Sequence, residues 1–99
     1  MSIQDFKGQR MLVTGAATGI GRACAQMLAG RGAEVWINHL GQADAAAVLV
    51  DEIVSAGGRA IAIEADVSDP DAVAEMFACI TANGPLDGLV NNAGNIQEQ

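Results

Sequence analysis

Short apolar runs alternate with stretches whose apolar residues recur at helical spacing, and very little chain separates them. That rhythm restricts the fold more than any other property of the sequence. Arg10-Met11-Leu12-Val13-Thr14 is a short apolar run closed by glycine, which suits a buried parallel strand. From Gly19 to Arg31, the residues Ile20, Ala23, Cys24, Met27 and Leu28 define a helical stripe, and Gly30 and Gly32 mark its stop. Val35-Trp36-Ile37 reads as a second strand, with Trp36 in the core. Asp44 to Ala56 is a helix with Ala47, Val48, Ile53 and Val54 on its apolar face, Val50 partly off it, and Gly57-Gly58 as its end. Ala60-Ile61-Ala62-Ile63 is a third strand, apolar throughout. Asp69 as N-cap and Pro70 in the first turn open another helix. Its apolar face is Val73, Met76, Phe77 and Ile80, and Asn83-Gly84-Pro85 ends it. Leu86 to Val90 is a fourth strand.

The resulting β-α-β-α-β-α-β order with short connections belongs to the α/β class. It implies right-handed crossovers and a parallel sheet with helices on both faces. In the doubly wound arrangement the strands lie 3-2-1-4, so the fourth is expected at an open edge. No internal repeat, low-complexity tract or linker interrupts the chain, and 99 residues hold one domain at most. Aromatic residues are only 3% of the sequence, so Ala, Val, Ile, Leu and Met must fill the core. A net charge of −7 argues against nucleic acid or an anionic membrane as partner, because both need a basic surface. Cys24 and Cys79 are too few for a disulfide framework and lie in Ala-rich helical stretches, where they are expected as small buried hydrophobes. No metal site is expected. The N-terminus shows no apolar run behind a basic start, which makes the cytoplasm the expected address.

The first strand runs straight into Thr14-Gly15-Ala16-Ala17-Thr18-Gly19-Ile20-Gly21, and a helix starts inside that segment. Gly15 lets the backbone turn sharply off the strand. Gly19 removes a side chain where a pyrophosphate must approach the main chain, and Gly21 lets the helix pack against the sheet. The N–H groups of the first helical turn and the positive end of the helix dipole make an anion site.

The Thr-Gly-x-x-x-Gly-Ile-Gly spacing of this loop resembles the signature of the short-chain dehydrogenases/reductases. Asp66-Val67 after the third strand and Asn91-Asn92-Ala93-Gly94 after the fourth match two further motifs of that family, in the same order. The resemblance covers essentially the whole chain. It implies a Rossmann-type doubly wound sheet, first half only, with residues 1–99 forming an NAD(P)-binding segment cut before the catalytic half. By the same resemblance, Gly15, Thr18, Gly19 and Ile20, with Gly21 behind them, would face the pyrophosphate and adjacent ribose. Asp66 and Val67 would hold adenine; the alternative for Asp66 is a carboxylate serving the start of the next helix near Ser68. Asn92, Ala93 and Gly94 would line the cofactor's ribose, while Asn91 steadies the central strands.

An NAD site commonly places a carboxylate about 20 residues after the glycine loop, bonded to the ribose 2′-hydroxyl. Here the second strand ends Asn38-His39-Leu40-Gly41, and no acid follows until Asp44. Asn38, His39 and local backbone N–H groups are candidates to contact a 2′-phosphate, with Arg22 assisting from the first helix. NADP is therefore favoured over NAD, and His39 as a solvated loop residue is the alternative.

In the family a Tyr acts as general acid/base, helped by a Lys four residues later, a Ser and an Asn. This sequence has no Tyr, and its only Lys is Lys7. No catalytic residue is assigned. The full-length protein is expected to be an oxidoreductase moving a hydride between NAD(P)H and a carbonyl/alcohol pair such as a 3-oxoacyl compound or another small ketone, and to be a homo-oligomer. The 99 residues alone are expected to be inactive, and marginal in stability because of the open edge. The alternatives are a non-catalytic nucleotide-binding module, an inactive truncated product, or lyase or epimerase chemistry on the same fold.

Overall fold

The computed structural model describes residues 5–92. Its elements are β1 (Arg10–Val13), α1 (Gly19–Gly30), β2 (Glu34–His39), α2 (Ala43–Ser55), β3 (Arg59–Glu64), α3 (Pro70–Thr81) and β4 (Gly88–Val90). The four strands form one parallel sheet in the order β3-β2-β1-β4. This is the expected α/β, Rossmann-type half-sheet, with β4 at an edge.

Alternation along the strands divides the interior into two unequal cores. Met11, Val13, Val35 and Ile37 point to one face and are covered by Ala25, Leu28 and Ala29 of α1 and by Ala46, Leu49 and Ile53 of α2. Leu12 points the other way and meets Met76 and Ile80 of α3, with Trp36, Ile63, Val67 and Leu86 at its margin. Trp36 thus belongs to the smaller core.

The helix ends follow the glycines. The N–H of Ala33 reaches the carbonyl of Leu28, and that of Gly32 the carbonyl of Ala29, so α1 closes in a Schellman motif with Gly32 at φ 99°. Gly57 and Gly58 close α2 the same way, on Val54 and Ile53. At the start of α3, Asp69 accepts from the Asp71 N–H at 3.0 Å, with Pro70 in the first turn.

The inward faces of α1 and α2 differ from the expected ones. In α1 the buried residues are Gly21, Ala25, Leu28 and Ala29, while Ile20 and Met27 are exposed. Gly21 causes this: a Cβ there would lie 2.3 Å from the Gly15 carbonyl oxygen, so only glycine can hold the inner position and the stripe is counted from it. In α2, Ala46, Leu49 and Ile53 are buried, and Ala47, Val48 and Val54 face outward. Apolar residues surround most of that helix, so spacing alone did not select a face. β3 is apolar but sits at the sheet's other edge, leaving Ile61 and Ala62 exposed. Cys24 packs against the larger core, whereas Cys79 faces solvent on the outer side of α3, contrary to expectation. β2 runs two residues past the apolar run because Asn38 and His39 stay in register with Ile63 and Glu64. β4 starts two residues later than expected, since Asp87 accepts from the Arg10 N–H at 2.7 Å and donates its own N–H to the Arg10 carbonyl.

An ion network closes the amino-terminal end of the sheet. Glu34 accepts from Arg10 and Arg59 at 3.1 Å each and from the Trp36 indole N–H at 2.9 Å. The Arg10 guanidinium also donates to the carbonyls of Ile80 and Gly84, capping the last turn of α3, and stands 5.8 Å from the Trp36 ring centre.

Candidate functional site

At the opposite, carboxyl-terminal end of the sheet, the loop after β1 is tied to its neighbours by neutral groups. Gly15 turns the chain off β1 at φ 61°, and Ala16 and Ala17 tuck into the larger core. Thr18 stands at the N-cap of α1 in an extended conformation and makes no side-chain cap. Gly19 has φ 62°, and a Cβ built there would meet nothing within 4 Å. Glycine is required at Gly19 by backbone conformation, and the space it leaves opens to the N-terminus of α1. Ile20 beside it is 75% exposed, an unusual setting for a large aliphatic side chain with a core only residues away.

β4 ends on the same loop. Thr14 donates its N–H to the Val90 carbonyl, and its hydroxyl accepts from the Asn92 N–H at 2.9 Å and donates to Asn91 Oδ1 at 3.1 Å. Asn92 Nδ2 donates to the Gly15 carbonyl at 3.1 Å. The Asn-Asn pair after β4 thereby fixes the far side of the glycine loop. Ala93 and Gly94 lie outside the described residues.

After β3, Asp66 Oδ1 accepts from both the hydroxyl and the N–H of Ser68, at 2.6 and 2.9 Å. The Ser68 hydroxyl, then its N–H, holds the Asp66 carboxyl below its ordinary range. The Ser68 contact considered in the sequence is therefore present. Val67 borders a pocket of about 170 Å³ with Thr14, Val73, Met76, Phe77, Leu89 and Asn91. Gly15, Thr18, Gly19, Asp66, Val67 and Asn92 thus follow β1, β3 and β4 at one end of the sheet, where open α/β sheets take their ligands.

A family model described as short chain dehydrogenase matches residues 9–99. The chain belongs to the short chain dehydrogenase family. A versicolorin reductase from Emericella nidulans is 48% identical over 88 residues, which are 88% of this chain and 33% of that protein. A dehydrogenase/reductase from Sinorhizobium meliloti superposes with a TM-score of 0.85 at 44% identity, covering 89% of this chain and 35% of that one. A blue fluorescent protein from a metagenomic library, solved in complex with NADPH, gives a TM-score of 0.85 at 38% identity over 92% of this chain and 38% of its own. The chain spans about a third of the length of these relatives.

At the end of β2 the polar side chains already have partners within the chain. Asn38 is buried, and its amide is used internally: Oδ1 accepts from the Gly15 N–H at 3.2 Å, and Nδ2 donates to the Ala65 carbonyl at 3.1 Å and contacts Met76 Sδ at 3.6 Å. Its backbone carbonyl accepts from Ala16 as well. Asn38 is thus a brace between the glycine loop and the end of β3, with its side chain already committed. His39 is only 5% exposed, which removes the solvated-loop alternative. Its Nδ1 accepts from the Gln42 N–H at 3.3 Å. Arg22 pairs with Glu52 of α2 instead of turning toward the loop.

One participant was not singled out from the sequence. Glu64, in register with His39, accepts from the Gly41 N–H at 2.9 Å in the turn between β2 and α2. Only strand register brings it there. No described helix is long and apolar enough to cross a membrane, and no cluster of metal-ligating side chains occurs among the described residues.

Proposed function

We propose that these residues are the N-terminal cofactor-binding part of an NAD(P)-dependent oxidoreductase that moves a hydride between a nicotinamide and a carbonyl/alcohol substrate. The observation that carries this reading is Gly19: a left-handed residue with open space above it, at the N-terminus of α1 and at the carboxyl end of β1. A side chain there would stand over the first turn of α1, whose backbone N–H groups and positive dipole end suit a pyrophosphate. In this reading Gly15, Thr18, Gly19 and Ile20 face the pyrophosphate and Gly21 sets the loop's depth. Asp66 and Val67 bound the adenine, and Asn92, with Ala93 and Gly94, lines the ribose. Asn38 acts indirectly, through the loop it braces, and His39 stands beside the 2′ position. The cofactor, when bound, supplies or receives the hydride. This chain's residues bind and orient it.

The lack of an acid directly after β2 supports NADP as the favoured cofactor with NAD as the second, and the NADPH complex of a similar protein points the same way. Small ketones, 3-oxoacyl compounds among them, are the proposed substrate class. With no Tyr and only Lys7, the 99 residues are proposed to bind cofactor without turning substrate over. The full-length protein is proposed to be a homo-oligomer of the cytoplasm.

Titration with NADPH, followed by the reduced nicotinamide's fluorescence, tests the reading. Saturable binding is expected, with Gly19→Val weakening it by about 100-fold because both the φ and the space are lost. Equal binding by Gly19→Val and the parent would sink it.

A further inference from the structure

We propose that Glu64 sets the balance between NADP and NAD, supplying from β3 the carboxylate that is missing after β2; the inference rests on the dinucleotide reading above. A ribose 2′ substituent is expected about 20 residues beyond the glycine loop, which is the turn from His39 to Gln42. Gly41 lies there at φ 70° and is exposed, so its backbone is open to a ligand. Two successive N–H groups of this turn are the natural donors to a 2′-phosphate, and both are already used. Glu64 Oε2 holds the Gly41 N–H at 2.9 Å, and His39 Nδ1 holds the Gln42 N–H at 3.3 Å.

The two nucleotides meet this arrangement differently. A 2′-hydroxyl both donates and accepts, so it can donate to the Glu64 carboxylate and leave the turn as it stands. A 2′-phosphate only accepts, carries its own negative charge, and must displace Glu64 from Gly41 or lie against it. Neighbouring side chains do not favour the phosphate either. Asp44 stands in the first turn of α2, and Arg22 of α1 is engaged by Glu52. Glu64 therefore lowers NADP affinity selectively, and the site retains NAD as a competent second cofactor.

The test is the ratio of NADP⁺ to NAD⁺ dissociation constants by calorimetry on the purified protein and three variants. Glu64→Gln keeps an acceptor for Gly41 but removes the charge. It is expected to tighten NADP⁺ by roughly 3–10-fold while NAD⁺ moves by less than about two-fold. Glu64→Lys should extend the shift in the same direction. Glu75→Gln, the same charge change on the exposed face of α3, should leave the ratio alone. The inference is overturned if the ratio is unchanged in both Glu64 variants, if both nucleotides shift in parallel, or if Glu75→Gln reproduces the effect. Failure of the unmodified protein to bind either nucleotide would remove the dinucleotide reading, and this inference with it.

Discussion

The two ends of the sheet are built from different chemistry. At the amino-terminal end, Glu34 gathers Arg10, Arg59 and Trp36, and Arg10 extends the network to the last turn of α3. At the carboxyl-terminal end, Thr14, Asn38, Asn91 and Asn92 tie the glycine loop to β3 and β4 through neutral hydrogen bonds alone. The difference has a physical use. A carboxylate bonded to the glycine loop would repel an incoming pyrophosphate or take its place. Amides and a hydroxyl hold the loop without competing for the N-terminus of α1. The Glu34 network with Arg10 and Arg59 lies at the other end, where no ligand is expected. Among the described residues no buried side-chain polar atom is left without a partner, so both designs are complete.

This contrast can be broken most severely at Gly21. Gly21→Ala places a methyl group 2.3 Å from the Gly15 carbonyl oxygen and 2.8 Å from Asn92 Nδ2. Loop and helix must separate, at a cost of about 3 kcal/mol in urea unfolding, and nucleotide binding should be lost. Asn38→Ala comes next. It strips partners from the Gly15 N–H and the Ala65 carbonyl, so about 2 kcal/mol of stability should go, together with nucleotide affinity. Arg10→Met sharpens the comparison from the other side. A loss of about 1–2 kcal/mol is expected there, with nucleotide affinity unchanged, because the network lies at the far end of the sheet. Loss of binding in that variant would show that the two ends are not independent.

The smallest expected effect is in pH dependence. Burial pushes the Glu34 carboxyl up, but the hydrogen bonds from Arg10 and Trp36 and the charges of Arg10 and Arg59 outweigh it, and its pKa is lowered. Asp66 is lowered by Ser68. A carboxyl whose folded pKa lies below its unfolded value adds stability that is complete above the unfolded value and is lost as pH falls through the folded one. Melting temperature should therefore decline below about pH 4–5, the ordinary carboxylate range. Glu34→Gln should flatten that decline in part, and Asp66→Asn should flatten it less.

Element order was readable because each element carries its own period and its own stop. Asp69-Pro70 and the glycines after α1 and α2 did in the structure what their chemistry demands. Helix orientation was not readable where apolar residues surround the helix. In α1 the close packing at Gly21 expected from the glycine loop is present and decides which side faces in, where the apolar spacing alone pointed elsewhere. The site was legible where glycine spacing encodes it. It was not legible where it depends on what lies beside a residue across the sheet. A polar Asn38 in a strand signals a buried amide as much as a ligand contact, and Glu64 enters only through its register with His39.

Trp36 is the sole indole of the sequence, and it stands in the amino-terminal half of β2, hydrogen-bonded to Glu34 and edged by the smaller core. Three residues of strand, about 10 Å, separate it from His39. The protein therefore carries an intrinsic optical reporter that no labelling need add. Its emission should register melting of the α3 side directly, and a dinucleotide at the other end only through space, so one fluorescence experiment distinguishes loss of structure from arrival of ligand.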